Sequence, residues 1–220
     1  MRGLVASRFG RVATAAAGGL LLLVPFGLSG PAAQAATASR ESAGLTVDSV
    51  ASPTKATKTI DVVKAYKATP GNDSDDDGDA FRKAIQAAGT NTEILVPKGN
   101  YVFKKSNVVL KSGVSIRGES GAVITTKFTS SSDNQGSSIF SASAGTSNLT
   151  ISGLKLTSSG GKALNYPLWI GSSSGSKVSK ILIKDMQIDK YYKMAISVRN
   201  GDNVTIENNT IKEAYSRPGK

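Results

Sequence analysis

The 220 residues contain no histidine and no cysteine. That excludes a Ser-His-Asp or Cys-His hydrolase and a His-ligated zinc centre within the chain, because each requires an imidazole. Acid–base chemistry is left to Asp, Glu, Lys, Arg and Tyr. Two acidic groupings stand out. Asp73-Ser74-Asp75-Asp76-Asp77-Gly78 matches the opening of a calcium loop, which keeps calcium open as a cofactor. Ala84, however, stands where the twelfth-position carboxylate is required, so the run reads better as a solvated turn and helix cap. Asp185 and Asp189 are the nearest pair for glycoside hydrolysis, which needs two carboxylates roughly 5–10 Å apart. Asn148, Asn203 and Asn208 open N-x-Ser/Thr triplets, acceptors for glycans only in a suitable host.

The elements that must position such groups are mostly short strands. Phe81, Ala84, Ile85 and Ala88 fall at i, i+3, i+4 and i+7, which predicts one amphipathic helix over 79–88. Asp77 or Asp79 is placed to cap it and Gly89 to end it. Downstream, β-prone runs at 94–96, 101–103, 108–110, 114–116 and 123–124 are separated by Gly, Lys, Asn and Ser. Then a repeat appears. Leu149, Ile151, Leu154 and Leu156 have relative offsets of 0, 2, 5 and 7, and Ile181, Ile183, Met186 and Ile188 repeat them. Val204, Ile206, Asn209 and Ile211 do so again, with steps of 32 and 23 residues between copies.

Alternation points two side chains one way, a three-residue step bends the chain, and alternation resumes. Gly153, Asp185 and Asn208 stand at the bend, residue types that tolerate a left-handed backbone. A further strand precedes each copy: Ile139-Phe140, Leu168-Trp169-Ile170 and Met194 to Val198. Three strands per repeat and no crossover helix leave stacking of successive coils as the way to pair them in parallel. The fold expected is all-β, a right-handed parallel β-helix of three-strand coils with a short N-terminal capping helix. A β-sandwich is the alternative, and it gives no reason for the bend to recur.

The N-terminus reads as an export signal over 1–35. Arg2, Arg8 and Arg11 precede the apolar run Gly18–Leu28, and Ala33-Gln34-Ala35 supplies a small-x-small cleavage pattern. The run is shorter than the roughly 20 residues a membrane span needs. Residues 36–58, rich in Ala, Ser and Thr, read as a flexible spacer, and 59–220 as the β-helix domain. The expected location is therefore secreted, with no membrane association after cleavage. The net charge is +11 over the whole chain and +8 without residues 1–35. That balance suits an acidic partner, but blocks of consecutive basic residues, the usual footprint of nucleic-acid binding, are missing.

Ile60-Asp61-Val62, the helix 79–88, Ile94-Leu95-Val96-Pro97-Lys98-Gly99-Asn100-Tyr101 and Leu110-Lys111-Ser112-Gly113-Val114-Ser115-Ile116-Arg117-Gly118-Glu119 together resemble the start of the pectate lyase superfamily. The closer resemblance is to its rhamnogalacturonase/epimerase-like pectate lyase domains. Asn203-Val204-Thr205-Ile206-Glu207-Asn208-Asn209-Thr210-Ile211 resembles that superfamily's β-helix repeat. The likeness covers about 59–220. It implies a polysaccharide, bound along one sheet beside the loops, and a domain that continues for more coils. The chain ends after the third clear repeat, so the domain is expected to be C-terminally incomplete or covered by another chain.

The resemblance places 139–141, 168–170 and 194–198 in the first sheet, where substrates lie. If Leu168 and Ile170 point inward, Trp169 points out. If Met194, Ile196 and Val198 point inward, then Lys193, Ala195, Ser197 and Arg199 point out. Trp169 could then stack on a sugar ring, with Ser197 and Tyr191 beside it, while Arg199 binds a uronate carboxylate. For β-elimination, Lys193 or Arg199 is the candidate base, and Tyr192 or Tyr191 the acid at the leaving oxygen. The expected activity is a lyase acting on an anionic, uronate-containing polysaccharide. A non-catalytic carbohydrate-binding β-helix, an inactive fragment and a polygalacturonase-type hydrolase are the alternatives, the last lacking its Asp-Asp and His-bearing motifs.

Overall fold

The computed structural model describes residues 52–105, 107–128, 135–159 and 163–215, with the side chain at 136 left out. The expected signal, 1–35, and the spacer as far as residue 51 lie outside them. Regular structure starts with β1 (Lys58–Asp61), α1 (Val62–Tyr66) and α2 (Asp77–Ala87), followed by β2 (Thr92–Val96), β3 (Gly99–Phe103) and β4 (Val108–Leu110). Next come β5 (Val114–Gly118), β6 (Ala122–Thr126), β7 (Phe140–Ala142), β8 (Ser147–Ser152) and β9 (Lys155–Ser158). The remaining strands are β10 (Leu168–Gly171), β11 (Val178–Lys184), β12 (Gln187–Ile188), β13 (Ile196–Arg199), β14 (Gly201–Glu207) and β15 (Thr210–Ile211).

These strands form three sheets. The first has the order β13-β10-β7-β4, the second β1-β2-β5-β8-β11-β14 and the third β15-β12-β9-β6-β3. Every strand pairing is parallel, which a hairpin-built sandwich could not give. Each circuit of the chain adds one strand to each sheet, so the architecture is the expected parallel β-helix, right-handed as parallel crossover connections are.

Register stacks like on like inside the coil. Ile94, Ile116, Ile151 and Ile183 are successive partners across the second sheet, and all four are wholly buried. Burial of one such side chain is worth roughly 1.5–3 kcal/mol. With no cysteine in the chain, this stack and the backbone ladders hold the fold.

The bend between the second and third sheets is left-handed at Gly153 (φ 68°), Asp185 (φ 54°) and Asn208 (φ 52°), as their residue types predict. At Gly153 a Cβ would also strike the Gly118 carbonyl of the coil before. In the third copy the apolar offset holds Asn209 instead. Its Oδ1 accepts from the Met186 N–H at 2.9 Å, and its Nδ2 donates to the Ile183 carbonyl at 2.9 Å, tying two bends together. A second left-handed column was not foreseen. Asn91, Gly113, Asn148, Lys180 and Asn203 have φ between 51° and 72° where the chain enters the second sheet. So the three Asn residues of the N-x-Ser/Thr triplets all sit at left-handed positions, with the Thr two residues on.

At the N-terminal end α2 closes the coil. Phe81 packs edge-on against Phe103 and Tyr101, with centroids 5.0 and 5.6 Å away. The cap is Asp76 rather than Asp77 or Asp79; its Oδ1 accepts from the Gly78 N–H. Asp77 is instead buried beneath the helix, where its two oxygens accept from the Thr69 N–H (2.7 Å) and the Val102 N–H (2.8 Å). Gly89 does not end the helix in a left-handed turn. The capping residue is Ala88 in an extended conformation, and Lys111 Nζ donates to the carbonyls of Gln86 and Ala88. At the other end Ile206 is 49% and Ile211 46% exposed. No helix of the described residues is long and apolar enough to cross a membrane.

Candidate functional site

The outer face of the first sheet follows from its register. Val109, Ser141, Trp169 and Ser197 are successive partners across β4, β7, β10 and β13, and Gly171 pairs with Arg199. The residues between them, Leu168, Ile170, Phe140 and Ala142, are wholly buried in the core. Two expectations for β13 need correcting. Met194, expected inside, is 49% exposed, and Ala195, expected outside, belongs to the core. The strand begins only at Ile196, so alternation cannot be extended back into the preceding loop.

Trp169 points outward as expected but is not an open platform for a sugar ring. It is 6% exposed. The Tyr166 ring meets it edge-on at 4.9 Å and 90°, its Nε1 donates to the Gly171 carbonyl at 2.9 Å, and the Arg199 guanidinium carbon lies 3.9 Å from the ring centroid. A cation over an indole face is attracted by the ring quadrupole, by about 0.5–2 kcal/mol. Gly171 makes this approach feasible: its φ is 82°, and a Cβ there would strike the Arg199 carbonyl. Ser141 and Ser197 are buried too. Ser141 Oγ donates to Asn107 Oδ1 at 2.6 Å and accepts from Gln135 Nε2 at 3.1 Å, so these two side chains cover the middle of this face.

The face opens at Arg199. An open groove of about 760 Å³ is lined there by Ser173, Ser174, Met194, Ser197, Arg199 and Asn200. Arg199 is half-buried and, among the described residues, makes no ion pair. Lys193 is exposed in the loop leading into β13, its backbone N–H bonded to the Asn165 carbonyl. Tyr192, beside it, has its ring 6.4 Å from that of Tyr215. Tyr191 is half-buried against the core, and its backbone bridges Leu164 and Ala214 of the neighbouring coils, which makes it a structural residue first. The structure thus brings Trp169, Ser197 and Arg199 together, with Tyr192 and Lys193 on the adjoining loop.

The acidic candidates lie elsewhere. Asp185 is exposed at the bend between the second and third sheets, with Lys184 Nζ 3.9 Å away. Asp189 is buried at the end of β12 in the third sheet; its Oδ2 lies 3.1 Å from Lys155 Nζ, while its Oδ1 has no hydrogen-bond partner among the described residues. The carboxylates of 73–79 are likewise committed. Asp73 pairs with Lys127, Asp75 accepts from Thr69 and Asn72, and Asp76 and Asp79 flank Arg82 and Lys105. No group of three or more acidic side chains converges on a metal position among the described residues; the partners just named are those of a turn and a helix cap. The cover over this face was not legible beforehand; Gln135, bonded to Ser141, and Tyr166, against Trp169, carry no motif.

Residues 94–217 match the family described as the right handed beta helix region. The chain belongs to that family. This right-handed β-helix region chain also resembles solved structures. One is named a 1,3-α-1,4-β-D-galactose-4-sulfate-3,6-anhydro-D-galactose-2-sulfate 4 galactohydrolase: 22% identity over 74% of this chain and 41% of that one, with a TM-score of 0.52. Another is an ι-carrageenase complexed to ι-carrageenan fragments: 18% identity over 72% and 42% of the two chains, TM-score 0.50. At these identities the likeness is one of fold, and the chain spans about two fifths of the length of either. No curated protein sequence matches it significantly.

Proposed function

We propose that this β-helix is secreted and acts on an anionic polysaccharide at the outer face of its first sheet, cleaving it by β-elimination. The observation that carries this reading is the charge of that face. Cationic Arg199 lines the groove and Lys193 lies on the loop leading into β13, while Val109, Ser141, Trp169, Gly171 and Ser197 on the outer face include no carboxylate. Hydrolysis needs two carboxylates astride the glycosidic bond; elimination needs a base and a cation to neutralise the enolate.

In this reading Arg199 holds the uronate carboxylate and balances the negative charge that grows on it. Lys193 takes the proton from the carbon α to that carboxylate. The C–H electron pair becomes the new C=C bond, the C–O bond breaks, and Tyr192 protonates the departing oxygen. Tyr191 and Ser197 contribute shape and hydroxyls at the margin. The folds it resembles are named for action on sulfated galactans, which supports an anionic glycan and makes sulfate the second anion to test.

The test is absorbance at the unsaturated-uronate band. Pectate, alginate and glycosaminoglycans are mixed with the protein, with and without calcium. A rise that disappears in Lys193→Ala and in Arg199→Ala is expected. New reducing ends without that absorbance would replace elimination by hydrolysis, and binding without any cleavage would leave a carbohydrate-binding module.

A further inference from the structure

An arginine whose guanidinium carbon sits over a tryptophan ring is restricted in where it can present its donors. The five N–H donors of a guanidinium lie in its own plane, and stacking uses only its faces. With its guanidinium carbon 3.9 Å from the Trp169 ring centroid, the donor edge of Arg199 turned away from the ring stays available to a ligand in the groove that Arg199 lines. No carboxylate of the described residues takes that edge. The indole is itself immobilised by its Nε1 bond to the Gly171 carbonyl and by Tyr166. Ser197, Ser173, Ser174 and Asn200 bring hydroxyl and amide groups to the same groove.

We infer that Trp169 is the positioning residue of a preorganised oxyanion clamp, in which Arg199 takes two oxygens of one acidic group on a glycan side by side. This rests on the reading of the first sheet as the glycan-binding face and assigns its specificity. The clamp selects a sugar bearing a carboxylate or a sulfate over a neutral one, and rejects a single-point cation as a substitute, since Lys cannot donate a parallel pair. Trp169 itself binds no sugar; its face is already spent on the guanidinium, which needs no further ordering when the anion arrives.

The chain contains one tryptophan, so tryptophan emission reports the surroundings of this side chain alone. Oligogalacturonate supplies the carboxylate arm, ι-carrageenan oligosaccharide the sulfate arm, and a neutral galactan oligosaccharide the control. Saturable change in Trp169 emission is expected with at least one anionic probe and none with the neutral one. Arg199→Lys should weaken binding by about tenfold, the loss of a charge-assisted pair, and Arg199→Ala should abolish the emission change. Calorimetry on Trp169→Phe and Trp169→Leu completes the test. Phe keeps an aromatic face and should restore most of the affinity, whereas Leu should lose about fivefold in protein whose melting temperature matches that of the Phe variant. Equal affinities for wild type, Arg199→Lys and Trp169→Leu would overturn the clamp while leaving the glycan reading standing. Absence of both binding and cleavage with every anionic probe would remove that reading and the clamp with it.

Discussion

Asp77 is a buried carboxylate whose position is set by what it accepts. It joins the Thr69 N–H to the Val102 N–H on β3, two donors that would otherwise be unpaired where α2 covers the coil. Asp77→Ala leaves both without partners, at about 1–3 kcal/mol each. Urea unfolding should show a loss of about 2–6 kcal/mol, with Asp77→Asn in between because its amide oxygen still accepts one bond. Asp73, on the same acidic run but 65% exposed in its pair with Lys127, should cost under about 1 kcal/mol when changed to Asn. The run is one stretch of sequence with two physical roles.

At the scale of the element, α2 is held to the first coil by its aromatic face and by acid–base pairs around Arg82. The Arg82 guanidinium, hydrogen-bonded to Asp79, holds that carboxyl below its ordinary value, with Lys105 assisting. A carboxyl lowered in the folded state contributes stability that is present above its unfolded value, about pH 4, and is lost as pH falls through the folded value beneath it. Melting curves of wild type and Asp79→Asn should therefore differ at pH 7 and converge in strong acid. Asp79 is half exposed, so solvent screening keeps the gap small. A gap that widened toward low pH would contradict the assignment.

At the scale of the whole molecule, stability is distributed by stacking. A residue with a coil on both sides loses far more on truncation than one with a coil on one side only. Ile151, wholly buried between β5 and β11, should cost about 2–5 kcal/mol as Ile151→Ala. Ile206, in the same position of β14 but 49% exposed, should cost about 1 kcal/mol or less. Denaturant midpoints of the two variants measure the difference directly, and equal losses would mean that β14 is covered in solution.

What the sequence determined by itself is the winding. The 0, 2, 5, 7 offsets and the Gly, Asp and Asn at the bend are local properties, because side-chain alternation and left-handed backbone both depend on a few consecutive residues. The second left-handed column escaped because Lys180 and Gly113 share no residue type with its three Asn positions, and because β11 and β14 run straight through it. The site divided in the same way. That Trp169 leaves the core could be read from its place between Leu168 and Ile170. That its face would be taken could not, because Arg199 lies 30 residues away in sequence and meets it only when one coil settles on the next. Contacts between coils depend on register and on side chains turning back along the axis, and only the tertiary structure decides those.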